Sequence, residues 1–492
     1  MNATVKSMDA DTKRGWPGYG TVWRWHFYAG LFCIPFVLIL TITGAIYLFK
    51  PQVEANFNQP FNNLTVTGHR ATAEAQVLAA LAAVPGSKLN SYELPESPQS
   101  AVRVFVGNGE EKFRVTVHPE TLEILQKEEE DWRLMKVVHR IHGDLLLGDR
   151  GSNLVELAAS WAIVMFITGL YLWWPRNTSN LAGIVYPRLD RGQRVFWRDL
   201  HAVTGLWISF FVLFLLISGL PWAKSWGGLL KEVRQIGVVQ KVQPDWTTGR
   251  SSELADRKLM NTPAVADKTG GDEHADHIPA GHEDHSHSHA DHSHAPATPP
   301  KPKVDYSALD RLIASVQPLN LAPPVMISPP SKKLPSWAGG SATDWTARSD
   351  AQNRPLRVNL TLDAETGAIK SRKNFADKPL LDRIIGYGIA IHEGQLFGWF
   401  NQLLGVVTAL GLLLMMASAV VLWWRRRTPR TLGAPKANQA GSKFAYGLVG
   451  IMVTLGVLLP FLGITMILVW LIERFVLRRI PAASNFLGLR TC

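Results

Sequence analysis

The sequence is poor in cysteine and lacks several common cofactor motifs. Its 492 residues include two cysteines, Cys33 in an apolar run and Cys492 at the end of the chain. Neither belongs to a C-x-x-C pair, which excludes a disulfide framework and a cysteine-based metal or redox motif. The G-x-G-x-x-G fingerprint of dinucleotide-binding domains is also absent. The chain therefore shows no sign of a nicotinamide or flavin domain of its own.

Charged residues make up 18% of the chain, and several long stretches contain almost none. The mean hydropathy is +0.03 although 47% of the residues are hydrophobic, which indicates membrane spans separated by polar domains. Four apolar segments are long enough to cross a bilayer: 25–49, 153–174 (the end of a segment 132–174), 201–222 and 399–424. A further apolar region, 444–477, is interrupted at Pro460 and fits either one long tilted span or a hairpin.

The distribution of basic residues predicts the topology. The net charge of +11 does not indicate nucleic-acid binding, because arginine and lysine concentrate in two short loops and before the first span. The positive-inside rule places these segments in the cytoplasm: 1–24, 175–200 and 425–443. The long segments 50–131 and 223–398 then lie in the periplasm of a bacterial inner membrane. The side reached by the tail, 478–492, depends on the region before it.

An internal repeat organises the chain. Several residues recur later in the chain at a constant sequence separation. A second group recurs at a larger constant separation. The matching sets are His26, Gly30 and Thr43-Gly44 with His201, Gly205 and Ser218-Gly219, then His142 and Gly148 with His392 and Gly398. We therefore predict an α-helical membrane protein made of two tandem copies of span, α+β outer module and span. The second copy has a polar insertion at about 250–303, predicted to be disordered.

Four histidines recur at matching positions of the two copies. The directions of the spans place His26 and His201 near one membrane face, and His142 and His392 near the other. A single histidine at a membrane interface is usually a polar helix end, but two imidazoles from opposing helices are what a six-coordinate haem iron requires. The pattern predicts two bis-histidine b-type haems.

Residues near these histidines leave alternatives open. His139 lies three residues before His142 and, in a helix, on the same face. It is either a haem-propionate contact, a substitute for His142 as ligand, or a contact for a metal substrate. Arg24, Arg140 and Arg198 are candidates for propionate pairing, or simply snorkel to the interface.

The polar insertion is rich in histidine and acidic residues. Imidazole suits zinc, copper, nickel and iron, so the insertion predicts weak, multi-site metal capture without fixed geometry. The alternative is a flexible linker of biased composition. The candidate ligands are His274, His277, His282, His285, His287, His289, His292 and His294.

These motifs resemble the PepSY-associated transmembrane family, which includes iron-regulated membrane proteins and inner-membrane ferric-siderophore reductases. The resemblance covers about 20–425 and rests on His26-x3-Gly30, His139-Arg140-Ile141-His142, Ile167–Trp174, His201-x3-Gly205 and His392-Glu393-Gly394. It implies PepSY-like outer modules, two b-type haems and electron transfer to periplasmic ferric chelates. The histidine-rich insertion and the region after 444 depart from the family pattern.

The leading functional hypothesis is a transmembrane metalloreductase that takes electrons from a quinol or a cytoplasmic reductant. Its partners would be membrane lipid and a ferric chelate or another metal substrate. The alternative is a non-enzymatic, membrane-anchored protein whose PepSY-type modules bind metal or regulate a partner. A transporter is disfavoured because Glu156 and Glu473 are the main acidic residues near the apolar segments.

Overall fold

The computed structural model describes residues 17–175, 181–234, 236, 246–261, 305–331, 344–435 and 444–489. It consists of a helical bundle and one antiparallel sheet. The eight histidines of the insertion lie outside the described residues. We call the end of the bundle that carries the sheet the sheet side. The opposite end, with the segments 181–192 and 427–435, is the loop side.

Fourteen α-helices and eight strands occur in the part of the chain that the structure describes. The helices are α1 Tyr19–Tyr47, α2 Lys50–Asn62, α3 Ala73–Ala83, α4 Leu134–Asp144, α5 Asp149–Trp173, α6 Gln193–Gly219, α7 Lys224–Val233, α8 Gly249–Met260, α9 Ala308–Val316, α10 Leu380–His392, α11 Trp399–Arg426, α12 Phe444–Leu458, α13 Pro460–Phe475 and α14 Pro481–Leu487. The strands are β1 Lys88–Glu93, β2 Val102–Asn108, β3 Glu111–Val117, β4 Ile124–Glu129, β5 Val325–Ser328, β6 Trp345–Ser349, β7 Val358–Leu362 and β8 Ile369–Asn374.

Five of the described helices are long and apolar enough to cross a membrane: α1, α5, α6, α11 and α13. The first four form the bundle, with α1 packed against α5 and α6 against α11. Two of them begin earlier than the sequence predicted. Because α1 starts at Tyr19 and α6 at Gln193, His26 and His201 lie about two turns inside their helices.

Small and sulfur-containing residues fill the centre of the bundle. Ala29, Cys33, Ala162, Met165 and Met415 are buried there, together with leucine, isoleucine and phenylalanine side chains. Small side chains allow close helix contact in membrane proteins. The centre of the bundle is consequently apolar, and small residues there let the helices approach closely.

The strands of the two predicted outer modules join in one sheet, in the order β4-β3-β2-β1-β5-β6-β7-β8. The junction is short: β1 pairs with β5 through Tyr92 opposite Ile327 and Glu93 opposite Met326. Helices α3 and α9 share one apolar core with the strands. They also touch each other, since the backbone N–H of Ala73 donates to Asp310 at 2.9 Å.

The expectation of disorder from residue 250 was wrong for the first residues of the insertion, because helix α8 occupies Gly249–Met260. The charged composition of this helix is typical of a linker, yet its charged side chains pair with residues distant in sequence. Lys136 binds Glu253 at 2.6 Å, and Arg257 is buried against Asp131. Composition alone does not reveal such pairing.

The apolar region from 444 onward forms a hairpin, one of the two arrangements that the sequence left open. On the sheet side, the indole N–H of Trp226 donates to the carbonyl of Leu458 at 3.0 Å. On the loop side, the N–H of Leu432 donates to the carbonyl of Phe486 at 2.8 Å. The chain turns at Pro460, which lacks an N–H and suits the first turn of α13.

Candidate functional site

The structure brings the four repeated histidines together as two pairs. On the loop side, the ring centroids of His26 (α1) and His201 (α6) are 6.3 Å apart, with an angle of 76° between the ring planes. On the sheet side, His142 (α4) and His392 (α10) are also 6.3 Å apart, at 82°. In each pair the two rings come from different helices, α1 with α6 and α4 with α10.

The two pairs lie at opposite ends of the bundle. Along α1, His26 belongs to the loop-side pair, and Thr43, near the other end of the same helix, contacts His142. With a rise of about 1.5 Å per residue, these two positions are about 25 Å apart along the helix axis. The apolar core around Cys33, Met165 and Met415 fills the space between the pairs.

The loop-side histidines are held through Nδ1. His26 Nδ1 lies 2.9 Å from the carbonyl oxygen of Met165 and 3.3 Å from Thr168 Oγ1. His201 Nδ1 lies 3.1 Å from the carbonyl oxygen of Met415 and 3.2 Å from Ser418 Oγ. A carbonyl oxygen only accepts hydrogen bonds. Nδ1 must therefore carry the proton in both rings, which leaves the Nε2 lone pair free to bind a metal.

The sheet-side histidines follow the same rule. His142 Nδ1 lies 3.1 Å from Thr43 Oγ1, and His392 Nδ1 lies 2.9 Å from Ser218 Oγ. Each hydroxyl already donates its one hydrogen to a backbone carbonyl of its own helix, Thr43 to Ile39 and Ser218 to Leu215. It can then only accept from Nδ1–H, so Nε2 is again the free nitrogen.

Glycines allow the rings to approach the neighbouring helix. A Cβ at Gly169 would lie 3.0 Å from His26 Cε1, and one at Gly44 would lie 3.1 Å from His142 Cε1. At Gly219 the corresponding distance to His392 Cε1 is 3.5 Å. Gly44 and Gly219, which the sequence repeat singles out, both lie against a histidine ring.

The sheet-side histidines reach the bundle on short helices of their own. Helix α4 ends at a left-handed residue, Leu145 (φ 52°), and α5 begins after Gly148 (φ 61°). Helix α10 is followed by Gly394 (φ 75°) and Gly398 (φ 59°). Positive φ at these glycines permits the tight reversal. The sequence placed His142 and His392 ahead of the spans but did not separate these helices from them.

His139 lies beside the sheet-side pair, and its ring packs on Tyr47 with centroids 5.5 Å apart. It is surrounded by protein yet accessible from the cavity that it lines. Burial, with the positive charge of Lys136, lowers the pKa of His139 to about 3, so the ring is neutral. Its contact with Tyr47 leaves His142 as the histidine opposite His392.

The sheet-side pair opens into a cavity of about 300 Å³ that is mainly apolar. Its wall includes Arg140, whose Nε is buried and has no hydrogen-bond partner among the described residues. A carboxylate such as a haem propionate would satisfy that donor. Arg198, another candidate for this role, instead binds Asp199 at 2.6 Å.

The donor set of each pair fits one metal ion between two imidazoles. A metal–imidazole bond is about 2.0–2.1 Å long, so two rings on opposite sides of one ion have centroids roughly 6 Å apart. Both pairs meet this distance. On the sheet side His142 and His392 also line the apolar cavity, and a pair of imidazoles in such surroundings suits an iron porphyrin.

Comparison with known families places this arrangement in context. A family model described as the PepSY-associated TM region matches residues 23–426. This range contains both histidine pairs and the whole sheet. No curated protein matches the chain significantly.

Proposed function

The chain belongs to the PepSY-associated transmembrane family, and we propose that this multi-pass membrane protein is a di-haem b electron conduit. It acts as a metalloreductase of the bacterial inner membrane. Its favoured substrate is the iron of a periplasmic ferric siderophore, and other metal chelates are included. Reduction of Fe(III) to Fe(II) by one electron weakens the binding of iron by hard oxygen ligands. This is a chemical reason for a protein that reduces ferric chelates.

The observation that carries the proposal is the presence of two equivalent histidine pairs at opposite ends of one bundle. Each pair has a centroid separation of 6.3 Å. All four rings are held through Nδ1, which leaves four free Nε2 atoms. A histidine that only caps a helix end would not need a second imidazole opposite it. Here that arrangement occurs at both ends of the bundle.

The residues have distinct roles in the proposal. His26 and His201 bind one haem iron, and His142 and His392 bind the other. Bound haem supplies a reversible ferric–ferrous couple at each end. The intervening core around Cys33 excludes water, and Arg140 offers a charge-assisted hydrogen bond to a propionate.

Orientation and repeat architecture are part of the proposal. The loop side faces the cytoplasm, supported by the exposed Arg425, Arg427 and Arg430 beyond α11. The sheet then lies in the periplasm. His26 and His201 make equivalent contacts with acceptors at matching positions of α5 and α11, which supports two tandem copies of one unit. The electron donor is a quinol or a cytoplasmic reductant.

The histidine-rich segment belongs to the proposal as a collector of transition-metal ions near the periplasmic surface. Its composition supports this role, because many imidazoles close together bind such ions reversibly. Removal of the segment should leave the haem content unchanged.

The test is an optical spectrum of the detergent-purified protein, oxidised and dithionite-reduced, with haem quantified as the pyridine haemochrome. We expect about two haems per chain. His201→Ala and His392→Ala should each leave about one, and His69→Ala, in an outer-module loop, should leave two. Electron transfer is measured as Fe(II) released from a ferric chelate by protein in vesicles loaded with reductant.

A colourless protein from haem-replete cells would refute the conduit. The non-enzymatic alternative, a membrane-anchored PepSY-type protein that binds metal or regulates a partner, would then be favoured.

A further inference from the structure

Four hydroxyl side chains, one beside each histidine, form a recurring feature: Thr43, Thr168, Ser218 and Ser418. We infer that they are positioning residues that fix the tautomer of the haem ligands and lower the reduction potential of the iron. This inference rests on the proposed function. It extends that function, because it assigns control of the potential to residues that do not touch the haem.

The acceptor groups around the histidines share one local geometry. In the loop-side sites, Thr168 follows Met165 by three residues and Ser418 follows Met415 by three, and each pair offers a carbonyl and a hydroxyl to one Nδ1. In an α-helix, such residues lie on the same face, one turn apart. A single turn of helix therefore provides both acceptors.

A hydroxyl acceptor also occurs on the sheet side. Thr43 Oγ1 lies 3.1 Å from His142 Nδ1, and Ser218 Oγ lies 2.9 Å from His392 Nδ1. A hydroxyl beside Nδ1 thus recurs at all four histidines, on four different helices.

The hydroxyls cannot act as donors to the rings. Thr168 Oγ1 donates to backbone carbonyls of its own helix, 2.8 Å from Val164 and 2.9 Å from Met165. Ser418 Oγ donates to Met415 at 2.8 Å. Since a hydroxyl has one hydrogen, its lone pairs face Nδ1–H. The hydroxyl, together with the neighbouring carbonyl of Met165 or Met415, therefore favours the tautomer with a free Nε2.

Burial increases the effect of losing one of these hydrogen bonds. Thr168 and Ser418 have 0% of their surface exposed, so water does not replace a lost acceptor. A hydrogen bond from the distal ring nitrogen raises the basicity of a metal-bound imidazole. A more basic ligand favours ferric over ferrous iron, so the hydroxyl lowers the potential of its own haem.

The test is a redox titration of the purified two-haem protein, followed optically. Thr168→Val keeps the shape of the side chain and removes the hydroxyl acceptor, while the carbonyl of Met165 remains beside His26 Nδ1. We expect one of the two potentials to rise by about 59 mV, equivalent to a tenfold change in the ferric–ferrous equilibrium, while the other stays unchanged. Ser418→Ala should shift the same potential, and Thr168→Ser should restore it.

The matched control is Ser160→Ala. Ser160 lies on the same helix, is equally buried and donates to a backbone carbonyl, that of Glu156, but it bonds to no histidine in the described part of the chain. A merely structural role would make Ser160→Ala and Thr168→Val alike.

Failure of the inference can be distinguished from failure of the proposed function. If Thr168→Val retains two haems and both potentials match the wild type, the inference is overturned and the conduit stands. If the wild-type protein binds no haem, the proposed function fails first and the inference falls with it.

Discussion

Arg257 forms a bidentate ion pair with Asp131, with nitrogen–oxygen distances of 2.7 and 3.0 Å. The two residues are distant in the sequence. Both side chains are buried. The pair fixes helix α8 beside helix α4, which carries His142. A segment with the composition of a linker thereby becomes part of the support of the sheet-side site.

This ion pair predicts acid sensitivity. Burial opposes ionisation of Asp131, but hydrogen bonds from Arg257 and Arg250 outweigh it and hold its pKa below the ordinary value. A depressed pKa gives stability that is complete above the unfolded value, about 3.9, and is lost as the pH falls through the folded one. Thermal unfolding in detergent should therefore show a decline in stability below about pH 4.

Asp131→Asn should remove part of that decline and destabilise the protein at neutral pH by about 1–3 kcal/mol, since Arg250 and Arg257 lose one of their two carboxylate partners and keep only Glu253. The control is Asp190→Asn, because the Asp190 side chain is 81% exposed and its pair with Arg191 contributes little. Equal unfolding curves for Asp131→Asn and wild type would contradict the assigned role.

The two histidines of α4 should behave differently. His142→Ala removes a ring that faces His392 and should reduce the haem content from about two to about one per chain. His139→Ala removes a ring that packs on Tyr47 and should leave two haems. Pyridine haemochrome measurements decide this, and loss of one haem in His139→Ala alone would make His139 the ligand.

The glycines beside the sheet-side rings provide a graded test. In Gly44→Ala the new Cβ would lie 3.1 Å from the His142 ring, so the ring must shift; in Gly219→Ala the distance to His392 is an ordinary 3.5 Å. We expect Gly44→Ala to broaden or shift the α-band of one haem. Gly219→Ala should keep the wild-type spectrum, and equal spectra for both variants would show that the ring tolerates the contact.

The corner between α4 and α5 should be intolerant of a side chain. A Cβ at Gly151 would lie 1.7 Å from the carbonyl oxygen of Asp144, which is backbone and cannot move independently. Gly151→Ala should cost at least about 1–3 kcal/mol of stability, measured by thermal unfolding. Gly143→Ala, in α4 with open space around it, is the control and should be neutral or slightly stabilising. A neutral Gly151→Ala would show that the corner relaxes.

The C-terminal hairpin brings Phe486 to the loop side, and we predict that Cys492 lies in the cytoplasm. In spheroplasts, a membrane-impermeant maleimide should label Cys492 after permeabilisation and not before. Cys33 is buried in the bundle and should stay unlabelled, so Cys492→Ser should abolish the signal. Labelling of intact spheroplasts would place the C-terminus in the periplasm, against the hairpin combined with the proposed orientation.

Much of the site was predictable because it depends on patterns that can be read from the linear sequence. The long apolar runs have to become helices in a membrane, where every backbone polar group must be bonded within the segment. The directions of the spans indicated that His26 and His201 should lie near one membrane face, and His142 and His392 near the other. The choice between His139 and His142 was not available, because both occupy one helical face.

Hydrophobic length and residue identity are local properties, so the apolar helices, the family and the four histidines could be recognised without the structure. The tertiary structure decided which groups meet: the hydroxyl acceptors of Thr168 and Ser418, the union of two modules in one sheet through β1 and β5, the docking of α8, and the hairpin at Pro460. Such contacts join residues far apart in the chain, and their energies depend on burial and distance, which a linear pattern does not contain.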